Sequence, residues 1–462
     1  DDYLSQFDVW DRYDYDGDGN FDESDGYIDH FQSVHAGAGE ETGGGAQGTN
    51  AIWSHRWYAF YNQIGSTGPA QNLAGGIQVG GSRYWIGDYT IEPENGGVGV
   101  FAHEFAHDLG LPDLYDTSGN TGAAENSTGF WTLMSSGSYG SSGKPEDGIG
   151  TKPTHMGNWE KFQLGWLNYE VAVAGRKSEH KLGPAEYNTK QAQGVFVVLP
   201  DKQVPLNLGA PCSTCGTKYF YSGAGDNLDS TMTKASSAGA LTAKVRYDIE
   251  ADWDYAYLQA NVAGAWTNVQ TDRSTTTNPF GQNLGFGITG VSTSADGNWV
   301  DLTASLPSGT TSVRFRYVTD GAVVEPGFQV DDIAVAGAPI GTAETDSEGW
   351  TFAGGFRITT GTETQEFFNA YVLANREYTG YDESLKTGPY NFGFLNTRPN
   401  WVEHFPYQDG LLIDYWNTQY TDNNVGDHPG GGLIALGISP CSTIRLLFAR
   451  GSLVVSAALA TV

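Results

Sequence analysis

The sequence predicts an α+β protein in which a domain built around one strong helix precedes β-sandwich domains. Three observations carry that expectation. Helical periodicity is clearest between Val98 and Asp116. From about residue 170 the texture changes to short alternating runs separated by turns. Glycine is abundant at 63 residues and aromatics make up 13%, with few long helical patterns among them. A chain of 462 residues suits about three domains of roughly 150 residues and can bury a sizeable core.

Lysine and arginine total 24 against 54 acidic residues, a net charge of -30. Such a surface repels nucleic acid and anionic membranes and favours solubility and cation binding. Three cysteines are too few for a disulfide framework. Cys212 and Cys215, in Cys-Ser-Thr-Cys, form either a local disulfide or two free thiols; a zinc knuckle would need a second pair, and only Cys441 remains. The sequence carries no signal peptide, transmembrane run or lipidation motif. It starts at Asp1 without Met, in an acidic segment, and is expected to be a mature or trimmed form of something longer.

In chain order, the first motif lies in DRYDYDGDGNFDESDGYIDHF, residues 11–31. Asp14, Asp16, Asp18, Gly19, Asp22 and Asp25 fall at positions 1, 3, 5, 6, 9 and 12 of a calcium loop. Asn20 offers its backbone carbonyl at position 7, and Phe21 takes the apolar eighth place. The last ligand is Asp rather than Glu, so its bidentate reach is shorter. Acids packed this closely repel one another without a cation, and the expected role is a structural Ca2+ site, one or more in the chain. The competing reading is a solvated acidic turn.

A glycine-rich loop, Gly37–Gly48, precedes the run Ala51–Trp57, in which His55 reads as a packed histidine and is left out of the site. Residues 75–92 hold two strand-like runs, GIQV and RYWIGDYTIE. A strand there would either wall the site, pairing an extended peptide by its backbone, or sit buried in a sheet.

The chain is organised around VGVFAHEFAHDLGLPDLYD, residues 98–116. His103, Glu104 and His107 form H-E-x-x-H, the zinc-peptidase signature. Two histidines four apart share one side of a helix, so both imidazoles can reach one ion. Glu104 can then hold a water and take its proton. Val98, Phe101, Ala102, Phe105 and Leu109 supply the helical repeat, Asn95-Gly96-Gly97 a start, and Gly110 a left-handed stop. A catalytic zinc site needs a third protein ligand. Asp113 completes H-E-x-x-H-x-x-G-x-x-D, where the metzincin pattern places that ligand, usually His; Asp116 is the nearest competitor. A distant Glu, as in the thermolysin-like arrangement, is the alternative, and Glu125 is the first one available. Trp131–Gly137 can form a methionine-containing turn beneath the metal around Met134, or Met134 is an ordinary core residue.

Met156–Leu167 suits a helix under the site, ended by Gly165, and Tyr139 reads either as an oxyanion contact or as a core tyrosine. The catalytic unit is expected to end near residue 170. Residues 217–353 read as a β-sandwich, with Asp226, Asp229, Glu250, Asp252 and Asp332 as strand-end acids. Residues 366–416 resume with an aromatic-rich flavour, and His404 beside Glu403 finds nothing nearby to complete a site. The stretch 441–462 is apolar with two Arg and no acids, either a buried closing strand or a terminus foreign to the rest of the fold.

YDYDGDGNFDESDGYIDHF, HAGAGEETGGGAQGTNAIWSHRW, HEFAHDLGLPDLYD, FWTLMSSGSYG and GYDESLKTGPYNFGFLNTRPNWVEHFPYQDGLLIDYW together resemble the immune inhibitor A family of secreted bacterial zinc metallopeptidases. The resemblance covers about residues 5–435. It implies a metzincin-like zinc-peptidase catalytic domain at 1–170, its N-terminal part missing, and a β-rich domain formed by 171–216 and 354–440. A MAM-like sandwich, 217–353, is implied to be inserted in that domain, with 441–462 atypical. It further implies His103 and His107 as ligands of one catalytic Zn2+, Glu104 as catalytic base, calcium dependence, and secretion as a zymogen. The expectation is thus a monomeric endopeptidase acting on proteins and peptides. The competing class is an adhesin or a carbohydrate- or protein-binding module with a vestigial zinc site.

Overall fold

The structure, a computed structural model, describes residues 2–12, 14, 18–70, 72–118, 128–141, 148–321, 323–386, 407–428, 432–439, 443–449 and 452–457, with backbone only from 434 onward. The described chain is mostly β, with α-helices only at Val98–Asp108 and Asn158–Gln163. It divides into two compact units, Asp1–Lys202 with Phe367–Val462, and Gln203–Glu366.

In the first unit, β1 (Phe31–His35), β2 (His55–Tyr58) and β3 (Asp88–Pro93) form a sheet in the order β1-β3-β2. β1 runs parallel to β3, and β2 runs antiparallel to it, with His55 opposite Ile91 and Tyr58 opposite Asp88. The run RYWIGDYTIE therefore supplies the central strand, while the segment beginning at His55 supplies an edge. GIQV contributes only Ile77–Gln78, paired with Trp85–Ile86.

β3 leads through a turn into α1 (Val98–Asp108). Gly97 and Gly99 let the helix start close against the segment after Met134: a Cβ on Gly99 would lie 2.2 Å from the Ser138 carbonyl oxygen, and one on Gly97 2.3 Å from that of Ile149. The helix phase differs from the apolar stripe read in sequence. Val98 and Phe105 are exposed, and the buried positions include Val100, His103, Glu104, Ala106 and Asp108. The polar face turns inward because the residues on it have partners there. Asp108 accepts from Arg12 and pairs with His30, and both histidines of the signature find carbonyl acceptors. At the C-terminal end Gly110 takes φ +92°, with Leu111 N–H donating to Ala106 O and Gly110 N–H to His107 O, a Schellman closure.

A short helix, α2 (Asn158–Gln163), follows, ended as expected near Gly165 at φ +71°. A five-stranded sheet then brings together β4 (Tyr169–Val173), β5 (Gly194–Val198), β6 (Asn369–Arg376), β7 (Gly410–Asn417) and β8 (Leu433–Ser439), in the order β8-β7-β6-β5-β4. β5 and β6 are neighbours although 203–366 intervenes. Ala106 of α1, Leu111, Leu114 and Met134 share one core cluster with Phe196, Val372 and Leu433, so this sheet is continuous with the floor beneath α1. Strands also occur in the atypical terminal stretch, where Thr443–Ala449 pairs with Ser452–Ala457 and with Ser178–Lys181.

The second unit, Gln203–Glu366, starts before and ends after the expected 217–353. It contains a seven-stranded and a five-stranded sheet, and the core between them includes Phe220, Met232, Leu258, Phe315, Val330 and Trp350. Alternation such as buried Val313, Phe315 and Tyr317 on one strand produces that layer. Cys212 and Cys215 form a disulfide.

Candidate metal centre

The helix and the turn after it bring three ligand atoms together. His103 Nε2 and His107 Nε2 lie 3.1 Å apart, and each is 3.2 Å from Asp113 Oδ1. Each imidazole spends its other nitrogen on the backbone: His103 Nδ1 donates to Leu133 O at 2.9 Å and His107 Nδ1 to Leu111 O at 2.7 Å. A carbonyl oxygen can only accept, so both Nδ1 atoms carry the hydrogen and both neutral rings present bare Nε2 lone pairs inward. Asp113 Oδ1 is buried with no hydrogen-bond donor. Three acceptors facing one another repel unless a cation lies among them. An ion holding such atoms at ~2.0–2.2 Å in tetrahedral directions would space them about 3.3 Å apart, close to the separations found. These residues fit a zinc ion.

Glu104 is buried on the same helix, and burial pushes its carboxyl above the usual range, opposed by the fields of His103 and His107. For His107 burial acts downward, but the Asp113 carboxylate overrides it and raises the imidazole. Tyr115 stacks on His103, ring centroids 6.4 Å apart, and burial beside Asp113 raises its hydroxyl. A cleft of about 450 Å³ opens over the trio, with Glu104, Tyr139 and β2 residues His55 and Trp57 in its walls. His55, set aside in the sequence reading, thus lines the site, and it contacts the Tyr89 hydroxyl at 3.2 Å. Its signal was the strand HRWY, too short to show alternation.

Met134 is fully buried in the core below α1, and its turn is held from below. Glu160 of α2 accepts from the Thr132 hydroxyl and from Met134 N–H, and its other oxygen accepts from Gly157 N–H. That arrangement fixes the Leu133 carbonyl that His103 uses. Nothing in the spacing of the signature points to Glu160.

The calcium-loop residues are less tightly drawn together. Asp14 accepts from Gly19 N–H, Asp18 from Asn20 N–H, and the Asn20 side chain from Asp22 N–H. Asp16 lies outside the described residues. Asp25 accepts from Tyr27 N–H, and its backbone N–H donates to Asp8. Burial, with the charges of Asp8, Asp11 and Asp29 adding to it, pushes Asp25 up to about 7. Among the described residues no three loop carboxylates converge as His103, His107 and Asp113 do. Asp8, Asp11 and Asp29, absent from the sequence reading, surround the loop's last position. Glu125, Glu403, His404 and Cys441 lie outside the described residues.

In the second unit Asp229 is engaged by Arg316, while Glu250 gathers with Asp254 and Asp320. Asp332 lies near the sulfurs of Cys212 and Cys215, which the disulfide removes as ligands.

A helix carrying two inward histidines, a buried glutamate and a following aspartate defines the class of a metal-dependent peptidase, and the comparisons agree. The domain described as immune inhibitor A peptidase M6, catalytic domain, matches residues 1–167. The immune inhibitor A-like MAM domain matches 178–360, and the VEG domain of immune inhibitor A-like metallopeptidases matches 364–442. The chain belongs to the immune inhibitor A family of metallopeptidases. Immune inhibitor A of Bacillus thuringiensis subsp. alesti is 34% identical over 464 residues, covering 94% of this chain and 60% of the relative. The pre-pro-metalloprotease PrtV of Vibrio cholerae serotype O1 is 34% identical over 459 residues, covering 94% and 45%. The chain therefore spans between about half and three-fifths of the curated relatives it matches. The K2 cleaved adhesin domain of Lys-gingipain is 18% identical and covers 35% of this chain and 97% of its own, but at a TM-score of 0.17 no fold likeness follows.

Proposed function

We propose that the chain is a zinc-dependent endopeptidase in which His103, His107 and Asp113 hold the metal and Glu104 is the general base. The observation that carries this is the convergence of three lone-pair-bearing atoms, two of them on rings whose tautomer is fixed by carbonyl acceptors. When bound, zinc would polarise the scissile carbonyl and bring the pKa of an attacking water to near ~7. Glu104 takes the proton of that water on its carboxylate and passes it to the leaving nitrogen. β2 offers the outer edge of its sheet beside the cleft, and an extended peptide can pair with it by backbone hydrogen bonds.

The substrates are proteins and peptides, and the enzyme acts as a monomer. We place it outside the cell. The Cys212–Cys215 disulfide supports an oxidising compartment, and no helix among the described residues is long and apolar enough to cross a membrane. The Vibrio relative's name marks a precursor, and we extend a zymogen stage to this chain. A structural Ca2+ in the Asp14–Asp25 loop completes the reading, with Asp14, Asp16, Asp18, Asn20, Asp22 and Asp25 as its ligands. The test is hydrolysis of casein by the wild-type chain and by Glu104→Ala, each with and without chelator. The variant is expected to retain zinc and lose at least ~100-fold in rate. Full activity in Glu104→Ala would remove the mechanism. Chelator-insensitive binding to a glycan or cell surface with no cleavage would favour a binding module instead.

A further inference from the structure

We propose that the loop Asp422–Gly426, in the stretch matched by the VEG domain, is a working part of the metal centre: it positions Asp113, and Asn423 is the positioning residue. The inference rests on the reading that Asp113 is a metal ligand.

His103 and His107 are placed by a helix, but Asp113 is not. It lies beyond Gly110 and Pro112, in a stretch without regular structure. The position of its carboxylate relative to the imidazoles is therefore set by whatever holds residues 111–116. On the near side, Leu111 is tied to α1 by its N–H and to His107 by its carbonyl, and Leu114 N–H donates to Met134 O at 2.7 Å. The peptide of Asp113 itself is held from elsewhere. Asn423 Nδ2 donates to Asp113 O at 3.1 Å, and Asn423 Oδ1 accepts from Leu433 N–H, the first residue of β8, at 3.0 Å. One amide side chain, 3% exposed, thus bridges the ligand's backbone to the C-terminal sheet.

Its neighbours repeat the contact. Asn424 Oδ1 accepts from Thr117 N–H at 2.8 Å, and Gly426 N–H donates to Asp116 Oδ2 at 2.7 Å. Below the bridge, Leu114 and Leu433 belong to the same core cluster as Met134 and Ala106. The third ligand is thereby anchored some 310 residues away in sequence, to a strand that also closes the floor under the site. Metal ligands held by outer groups in this way lose about 10–100-fold in affinity when those groups are removed.

The test measures the zinc dissociation constant of the full chain by competition with a chromogenic chelator. Asn423→Ala is expected to weaken zinc binding about 10-fold or more. In a chain already carrying Asp113→Ala, the same substitution is expected to change the constant less than about 2-fold, because its effect passes through the lost ligand. Wild-type affinity in Asn423→Ala, or an equal loss in both backgrounds, overturns the proposal; the second result would mark a merely structural role. Should Asn423→Ala fail to fold, Asn424→Ala enters the same cycle with an expected loss of about 3-fold, and an unchanged constant there overturns the proposal as well. Wild-type affinity in Asp113→Ala alone would instead remove the ligand reading on which it rests.

Discussion

Among single residues, the carboxylate that joins His103 and His107 decides the chemistry of the site. Asp113 presents a buried oxygen 3.2 Å from both imidazole nitrogens with no donor of its own. Asp116, the nearest competitor, has its oxygens taken by Ser118 and by Gly426 N–H, which leaves it capping the loop. Asp113→Ala should therefore weaken zinc binding severely, by about 100-fold or more in a chelator competition, and Glu125→Ala should leave the constant within about 2-fold. A larger loss in Glu125→Ala than in Asp113→Ala would transfer the ligand role. The three proposed ligands were legible in the sequence because their spacing on one helix and its terminating glycine is a local property. Leu133, Glu160, Asn423 and His55 were not. Each acts through a backbone group or a short strand that reaches the site only once distant segments have folded together.

At the level of elements, the turn at Gly110 and the acidic loop are both expectations drawn from spacing. Gly110 sits at φ +92°, and a Cβ there would meet nothing within 4 Å, so a side chain would cost conformational strain alone. Gly110→Ala should destabilise the protein by about 1–2 kcal/mol, and it should weaken zinc because the same turn carries Asp113. Unfolding in denaturant and the zinc constant check both; no change in either would mean the turn does not aim the ligand. In the loop, burial is the main cause that raises Asp25, with the charges of Asp8, Asp11 and Asp29 adding to it. Thermal unfolding should shift downward in EGTA at a concentration that spares zinc, by several degrees, about 4 °C or more if ~1–2 kcal/mol of cation binding is lost. An unchanged melting temperature with no calcium in the metal analysis would leave a solvated turn. The helix itself was legible, but its phase was not. The apolar stripe suggested burial of Val98 and Phe105, whereas the polar face is covered because its partners, Arg12, His30, Leu111 and Leu133, arrive from other segments.

Across the whole molecule, acidity and burial combine. The net charge is -30, and several acids lie inside. Burial raises Glu92, Asp331 and Asp414 to about 7 and Asp254 to about 6, helped at Asp254 by Asp320 and Glu250. A raised carboxyl holds its proton in the folded chain at a pH where the unfolded chain, near ~4, has lost it. The unfolding free energy therefore falls as pH rises from about 4 to about 7 through these groups. His155 opposes them: burial lowers its pKa, so its contribution is lost as pH falls through the unfolded value. These acids, with Asp25 and Glu186 raised in the same direction, outweigh that imidazole and predict that the metal-free protein melts higher at pH 5.5 than at pH 8, by about 4 °C or more. A higher melting temperature at pH 8 would mean that these carboxylates are ionised and compensated in the fold. The division into a peptidase domain and later β-domains was legible from the change of texture near residue 170. The core that Met134 and Ala106 share with Phe196, Val372 and Leu433 was not, because it joins distant segments, Val372 and Leu433 lying more than 200 residues beyond Met134.

Two imidazoles and one carboxylate are proposed to hold a single zinc ion. X-ray absorption at the zinc edge of the metal-loaded full chain tests it most directly. One zinc per chain is expected, with two imidazole nitrogens and the remaining ligands oxygen, all at ~2.0–2.2 Å. Sulfur scattering at ~2.3 Å, or a shell with fewer than two imidazoles, would contradict it.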